Sequence, residues 1–409
     1  MDFKVIHNLP DPALLSAWRD CLSRDRCPSH YVAPEYFLEP YWAERRPFAV
    51  LALDHERVVG VLTGLHHDGQ VQCGLEARPQ ICIDPSQDAA AVVEILVQGL
   101  RTEIEAAKLV TIYTWADLDL PSLCRHGFRR QQLTGNVVLD LTKGPEALFQ
   151  AFPKDRRRNI RFAEKNGVEV SEVTTPDDIF EAFAIYQTWW RTNGDHISGD
   201  AVTLEQFAAS VRCHKNRLVL IARVEGKPIA INTFRYHERG LFESASNNSL
   251  QEFVHLKPND LLQWRGIQWA CSHGLRRHSL GGSHPFLRRF GGEVIPVFRY
   301  QWDRTFLHRY ELRDAALEYR RRLLRAVPQP VANALRQIAG RKSSPPPASE
   351  AAPSQAADTT PEAPQSASLR AASKDRVTPS ATGPDAIQKR QQDLDQPAPV
   401  SGESQPHQA

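Results

Sequence analysis

The alternation of apolar and polar positions divides the chain into short strands and amphipathic helices. Phe48-Ala49-Val50-Leu51-Ala52-Leu53, a polar turn and Val58-Val59-Gly60-Val61-Leu62 predict a β-hairpin. Between Ala89 and Ala107 the spacing is helical, with Val93, Leu96, Val97, Leu100 and Ile104 on one side. Strands are predicted over 109–113 and 137–141. The cycle then restarts. Gly144-Pro145 opens a helix that Pro153 interrupts and that resumes to Lys165, with Gly167 as its stop. Thr175-Pro176-Asp177-Asp178 starts another, which runs to Trp189-Trp190-Arg191. Segments 218–222 and 229–232, joined by Glu225-Gly226-Lys227, form a second predicted hairpin. A helix from Pro258 to Ala270 follows, then strands around 278–280 and 297–302. The order strand–strand–helix–strand thus occurs twice, which predicts a mixed α+β or α/β fold built as two similar modules. Residues 308–325 predict a basic amphipathic helix carrying Arg313, Arg320, Arg321, Arg322 and Arg325.

Composition changes the picture beyond residue 340. From Arg341 to Ala409 there is no aromatic residue, and 11 of the 29 prolines fall there. Such a stretch cannot bury enough apolar surface to offset its ordering entropy, and it is expected to be disordered. Over the whole 409 residues, 50 Lys and Arg stand against 48 Asp and Glu, so no cationic field points to nucleic acid. No run approaches the ~20 apolar residues of a membrane span. The first residues lack the basic and apolar regions of a secretory signal. Seven cysteines without a CxxC pair argue against a disulfide framework and a common zinc site. The expected setting is the reducing cytoplasm, with the inner face of the membrane as a possible location.

Two segments carry the densest candidate chemistry. In Lys154-Asp155-Arg156-Arg157-Arg158-Asn159-Ile160-Arg161-Phe162-Ala163-Glu164-Lys165, the side chains of Arg157, Arg161 and Lys165 share one helical ridge. Guanidinium groups in a row suit capture of phosphate or pyrophosphate; a solvated helix face is the bland alternative. The second segment, Leu280-Gly281-Gly282-Ser283-His284-Pro285-Phe286-Leu287-Arg288-Arg289-Phe290-Gly291-Gly292, combines accessible backbone with cations, a pairing suited to anions or a developing oxyanion. Gly281, Gly282 and His284 are candidate substrate contacts, and Arg288 and Arg289 candidate catalytic cations. Trp190 is a candidate pocket wall or a core residue. Tyr236, Glu243 and Asn247 fall on or beside strands, and Asp260 in the first turn of a helix, where the dipole favours a carboxylate. No G-x-S-x-G, H-E-x-x-H, G-x-G-x-x-G or P-loop pattern occurs, so neither a Ser-His hydrolase, a resident metal nor a tightly bound dinucleotide is expected.

Several of these pieces, in order, resemble FemAB-type transferases. They are Leu123-Cys124-Arg125-His126-Gly127-Phe128, the Arg-rich helix through Val170, and Arg223-Val224-Glu225-Gly226-Lys227-Pro228-Ile229-Ala230. Leu261-Leu262-Gln263-Trp264, Ile267-Gln268-Trp269-Ala270, the Gly281-Gly282 strand end and Phe286–Gly292 complete the series. The resemblance covers roughly residues 1–305. It implies two tandem GNAT-like domains over 1–141 and 142–305, followed by a helical segment at 306–340 and the tail at 341–409. It further implies transfer of an acyl or aminoacyl group to an amine of a phosphate-bearing cell-envelope precursor. Acyl-CoA or aminoacyl-tRNA would be the co-substrate, and peripheral association with envelope machinery is implied as well. In this reading Arg157, Arg161 and Lys165 hold acceptor phosphates, and Arg288 and Arg289 line the reaction side. Tyr236, Glu243 and Asp260 are the candidate bases. Two departures stand out. Leu287 occupies a position where members commonly have Lys, and His255-Leu256-Lys257-Pro258-Asn259-Asp260 replaces the glycine-rich pyrophosphate loop. They motivate an alternative, a catalytically degenerate binding or assembly protein.

Overall fold

The computed structural model describes residues 1–25, 27–39, 45–193, 202–212 and 216–326. The first elements are β1 (Asp2–Ile6), α1 (Pro12–Arg24), β2 (Arg46–Asp54), β3 (Arg57–His67), β4 (Gln70–Cys73), β5 (Ile81–Ile83) and α2 (Ala89–Glu103). Next come β6 (Leu109–Trp115), β7 (Arg129–Gln132), β8 (Asn136–Asp140), α3 (Gly144–Ala151), α4 (Lys154–Lys165) and β9 (Val168–Glu172). They are followed by α5 (Pro176–Asn193), α6 (Leu204–Arg212), β10 (Arg217–Val224), β11 (Lys227–Tyr236), β12 (Leu241–Ser249) and α7 (Pro258–Ser272). The last are β13 (Arg277–Ser279), α8 (Pro285–Arg288), β14 (Glu293–Ile295), β15 (Val297–Asp303) and α9 (Arg309–Ala326). Local chemistry sets several of these ends. The Asp11 carboxylate caps α1 by accepting from Leu14 N–H, and Asp88 caps α2 through Ala90 N–H. Glu225 and Gly226, both at positive φ, make the tight turn of the β10–β11 hairpin.

The strands form two mixed sheets. One has the order β1-β2-β3-β4-β6-β15-β7, with β5 also paired to β3; the other runs β14-β8-β13-β12-β11-β10-β9. Each has one parallel pair, β4 with β6 and β12 with β13. Alternation along β2 feeds two cores. Phe48, Val50 and Ala52 pack with α2, whereas Ala49 and Leu51 join Trp18 and Leu22 of α1. In the second sheet Leu218, Leu220 and Ala222 face α3, α4 and α7, and Val219 and Ile221 face α5 and α6.

The sheets do not divide the sequence at 141/142. Strand β8, expected to close the first module, lies in the second sheet between β13 and β14, and β15 returns to the first sheet between β6 and β7. The reason is edge pairing: β8 meets His278 and Val294 in antiparallel register, and β15 takes the whole length of β6. The chain therefore crosses between modules twice, within a unit that extends from Met1 to Leu317. Helix α9 matches the expected basic helix over 308–325; residues 327–409, which include the expected disordered tail, lie outside the described residues. Among the described residues the cysteines are free, and no helix is long and apolar enough to cross a membrane.

The seam between the sheets mixes apolar and charged contacts. Trp115, Val138, Leu241, Ile295 and Val297 form a small core there. Arg78 reaches across from the first module to Glu243 on β12 at 2.5 Å, with its guanidinium 3.7 Å over the Tyr31 ring. Buried Arg217 pairs with buried Glu39, which also accepts from His30 Nε2 at 2.6 Å. Ser279 Oγ donates to Ala77 O at 2.7 Å.

Two buried imidazoles give the fold a defined acid sensitivity. His278 donates from Nδ1 to Phe242 O and accepts at Nε2 from Gln263, a pattern that needs the neutral ring. Burial pulls its pKa down to about 4, and burial likewise pulls His30 to about 4, against the opposing bond to Glu39. Because the folded values are depressed, the unfolded chain takes up these protons first as pH falls. Their contribution is full above about pH 6.5 and is lost progressively towards pH 4, each at up to about 1.4 kcal/mol per pH unit. Urea unfolding at pH 8, 6 and 5 should show this decline, and a His278→Phe variant should flatten it; an unchanged slope in that variant would contradict the assignment.

Candidate functional site

The site grows from the one place where the second sheet opens. Strands β12 and β13 pair in parallel only from Leu241↔Arg277 to Glu243↔Ser279. Beyond that point β13 passes into Leu280-Gly281-Gly282, whereas β12 continues to Ser249 and leads through a 3-10 turn to α7. A polar cluster fills the branch. Gln263 of α7 accepts from Asn232 Nδ2 and Ser244 Oγ, both at 3.1 Å, and donates to His278 at 2.5 Å. Gly281 has φ +88°, and a Cβ there would stand 3.1 Å from Ser244 O, so the backbone turns where a side chain would crowd the neighbouring strand.

At the N-terminus of α7 a cavity of about 230 Å³ opens, lined among others by Arg156, Asn159, Lys257, Asp260, Phe286 and Arg289. Lys257 sits at φ +60°, a left-handed conformation unusual for a side chain, directly before Pro258 in the first helical position. Arg156 is 2% exposed. It is ion-paired with Asp260, donates to Phe286 O at 3.1 Å and lies over the rings of Phe286 and Phe290 at 4.5 and 4.1 Å. Its buried Nε has no hydrogen-bond partner among the described residues. Burial lowers the guanidinium to about 10, which leaves it charged at neutral pH. Asn159 Nδ2 adds a long contact to Asp260 at 3.5 Å. Three cations thus surround the cavity, and the buried carboxylate offsets one of them. Helix-terminal N–H groups add to the positive potential.

The sequence-predicted residues distribute unevenly about this cavity. Asp260 and Arg289 line it; Arg289 is exposed and lies 3.8 Å from Asp155. Gly281, Gly282, His284 and Arg288 occupy the adjoining loop. Gly282 O accepts from Val137 N, His284 Nδ1 caps α8 through Phe286 N–H, and Arg288 Nε donates to Ser283 O. Arg157, Arg161 and Lys165 lie on the solvent side of α4, Arg157 donating to Gln150 and Arg161 over the Phe149 ring. Glu243 is at the seam with Arg78, and Tyr236 packs against Trp269 with the rings tilted and their centroids 5.0 Å apart, towards the other end of α7. Asn247 lies on β12 and pairs with Asn232 of β11. Trp190 is on α5, whose core lies on the opposite face of the sheet, and neighbours Tyr186.

Arg156 and Lys257 were not singled out by the sequence reading. The signal for Arg156 was its place at i, i+4, i+7 with Ile160 and Ala163, the buried stripe of α4. A separate cavity of about 500 Å³ in the first module is lined by residues including His7, Arg46, His66 and Glu103. Within that cavity His66 is 3.3 Å from Glu103. Among the described residues no group of His, Cys, Asp and Glu is arranged to hold a metal ion.

Residues 153–293, which contain the smaller cavity, match the family described as Acetyltransferase (GNAT) domain. Among solved structures, the chain is similar to FemX at 12% identity, covering 73% of this chain and 97% of that one, with a TM-score of 0.55. It is also similar to the C-terminal domain (DUF2156) of a putative lysylphosphatidylglycerol synthetase from Agrobacterium fabrum. That match has 14% identity, 74% and 96% coverage and a TM-score of 0.51. A search of curated proteins finds no match.

The pairing of Arg156 with Asp260 makes a stability prediction. An Arg156→Met variant keeps the stem but strands a buried carboxylate, and should lose about 3–5 kcal/mol in urea unfolding. Arg156→Met with Asp260→Leu should recover much of that loss. Equal stability of wild type and the single variant would show that the pair is not desolvated.

Proposed function

The chain has a FemAB-like GNAT fold, and from that premise we propose that it is a transferase moving an acyl or aminoacyl group to an amine of a phosphate-bearing cell-envelope precursor. The observation that carries this reading is the cationic cavity at the start of α7, beside the branch of β12 and β13. Its chemistry suits a phosphate or pyrophosphate group: Lys257 and Arg289 supply accessible charge, and Arg156 is fixed between Phe286 and Phe290. The co-substrate proposed for this role is acyl-CoA or aminoacyl-tRNA. The outer ridge of Arg157, Arg161 and Lys165 is proposed for the acceptor's phosphates. Rate enhancement would come from holding amine and carbonyl in line and from cations and backbone N–H groups near the developing oxyanion. Arg288 and Arg289 are the proposed cations for that step.

The same geometry narrows the choice of base. Asp260 is committed to Arg156 and Glu243 to Arg78, so neither carboxylate is available without breaking a buried pair. Tyr236 remains a candidate. This commitment of two carboxylates also favours a second reading, a GNAT-fold protein that binds an envelope precursor without turning it over.

The two readings separate on one experiment. The full chain is incubated with acyl-CoA thioesters or with charged tRNA, and nucleotide-linked and lipid-linked amino sugars are analysed for donor-dependent mass gain. Transfer is expected with one donor class. Lys257→Ala should then raise KM for that donor about tenfold with little change in kcat, the signature of lost ground-state binding. Arg157→Ala with Arg161→Ala should raise KM for the acceptor instead. Precursor binding without turnover on either donor would favour the second reading.

A further inference from the structure

The end of the first sheet carries a built apolar tip. Directly after β15, Phe306 and Leu307 are 81% and 64% exposed, and Leu312 on the first turn of α9 is 60% exposed. Isolated exposed apolar residues are ordinary; three in seven positions at one chain turn are not. The turn is held rather than loose. Asp303, 3% exposed, accepts from Thr305 N–H at 3.0 Å and Thr305 Oγ at 2.6 Å through Oδ1. Through Oδ2 it accepts from Tyr310 N–H at 2.8 Å and Glu311 N–H at 3.1 Å. Thr305 Oγ in turn accepts from Arg309 N–H at 2.8 Å. This network keeps Leu307 and His308 at φ +64° and +47°, a left-handed conformation that side chains rarely adopt. The backbone is thus strained to present apolar side chains to solvent.

The charges around the tip are cationic in excess. Arg309 and Arg313 are exposed on α9, and Lys108, whose carbonyl accepts from Arg304 N–H, is exposed beside it. The two acids on the first turns of α9 are engaged: Glu311 with Arg129 at 2.8 Å, and Asp314 with Arg299 at 2.9 Å and more loosely with Arg313 at 4.0 Å. From Arg304 to Ala326 the sequence holds seven arginines against three acids. Exposed Phe and Leu ringed by exposed cations fit one occupant, the interface of an anionic phospholipid bilayer. Apolar side chains enter the acyl boundary there while arginines meet headgroup phosphates.

We propose that the Phe306–Leu307 tip, with Arg309 and Arg313, docks the protein on anionic membrane surfaces as an interfacial anchor. This does not rest on the transferase reading; a lipid-linked substrate would give it a purpose, and a soluble one would not exclude it. The test is cosedimentation of the full chain with vesicles of phosphatidylcholine alone or of phosphatidylcholine mixed with anionic phosphatidylglycerol. Binding is expected only to the anionic vesicles and should fall as salt rises. Phe306→Ser with Leu307→Ser should weaken it at least tenfold, as should Arg309→Glu with Arg313→Glu, with thermal unfolding midpoints unchanged. The charge-reversal pair decides the matter should the first variant fold poorly. Equal sedimentation with and without anionic lipid would overturn the proposal. So would a wild-type dimer in light scattering that Phe306→Ser with Leu307→Ser converts to monomer without altering vesicle binding, since the tip would then serve self-association.

Discussion

Moving a guanidinium and a carboxylate out of water costs several kcal/mol per ion, and their mutual attraction repays this only when the remaining donors and acceptors are also met. Arg156 and Asp260 meet that condition only in part, because the buried Arg156 Nε has no partner among the described residues. Asp260 receives Arg156 and Asn159, while Arg156 is covered by two phenylalanine rings and gives one bond to a backbone carbonyl. The pair joins α4 to the first turn of α7 and draws α8 against both. The cavity exists because these three elements meet around charge, and charge does not pack shut. An apolar replacement of the pair should recover much of its stability, so the pair is better explained by what the cavity binds than by what the fold requires.

The open branch of the second sheet imposes a further constraint. Parallel pairing that ends after Glu243 and Ser279 leaves strand backbone without a ladder partner, and the polar side chains of Gln263, Asn232, Ser244 and His278 stand where apolar residues would otherwise fill the core. Their bonds are reciprocal and fix the neutral imidazole, which ties helix α7 to both strands. Helix position, cavity shape and proton uptake at His278 are therefore one coupled property. An acid shift that charges His278 acts on the platform that carries Asp260 and Lys257.

Much of the architecture was legible because periodicity is local. The hairpins at 46–67 and 217–236 and the helices at 89–103 and 258–272 follow from spacing, caps and turn residues that a short window contains. Partner choice is not local. Val137-Val138-Leu139 reads as a strand whichever sheet receives it, and only the pairing of β8 with β13 and β14 assigns it to the second. The cavity's surroundings were legible only in part. The Arg-rich helix and the Gly-Gly loop do flank the cavity, but the ridge of Arg157, Arg161 and Lys165 was chosen by charge spacing on a helix whose mean hydropathy is low throughout. With so few apolar residues, its buried stripe is marked only by Ile160 and Ala163, and the arginine in register with them is Arg156. Its counter-ion lies on another helix far along the chain, a relation no window of sequence displays.

The seam shows why the two modules behave as one body. An apolar seam would bind without direction, whereas the pairing of Arg78 with Glu243 sets a distance and an angle between a loop of the first module and the last paired residue of β12. Glu243 thus stands at the hinge of the branch and is held there by a residue from the other sheet. The segment between β13 and β14, which contains the Gly-Gly loop, α8 and Arg289, is held differently: both flanking strands pair with β8 of the second sheet. A loop clamped at both ends on one strand has fewer conformations to lose when it closes on a ligand. The shared pairing of β13 and β14 with β8 is the device that preorganises this part of the cationic wall of the cavity.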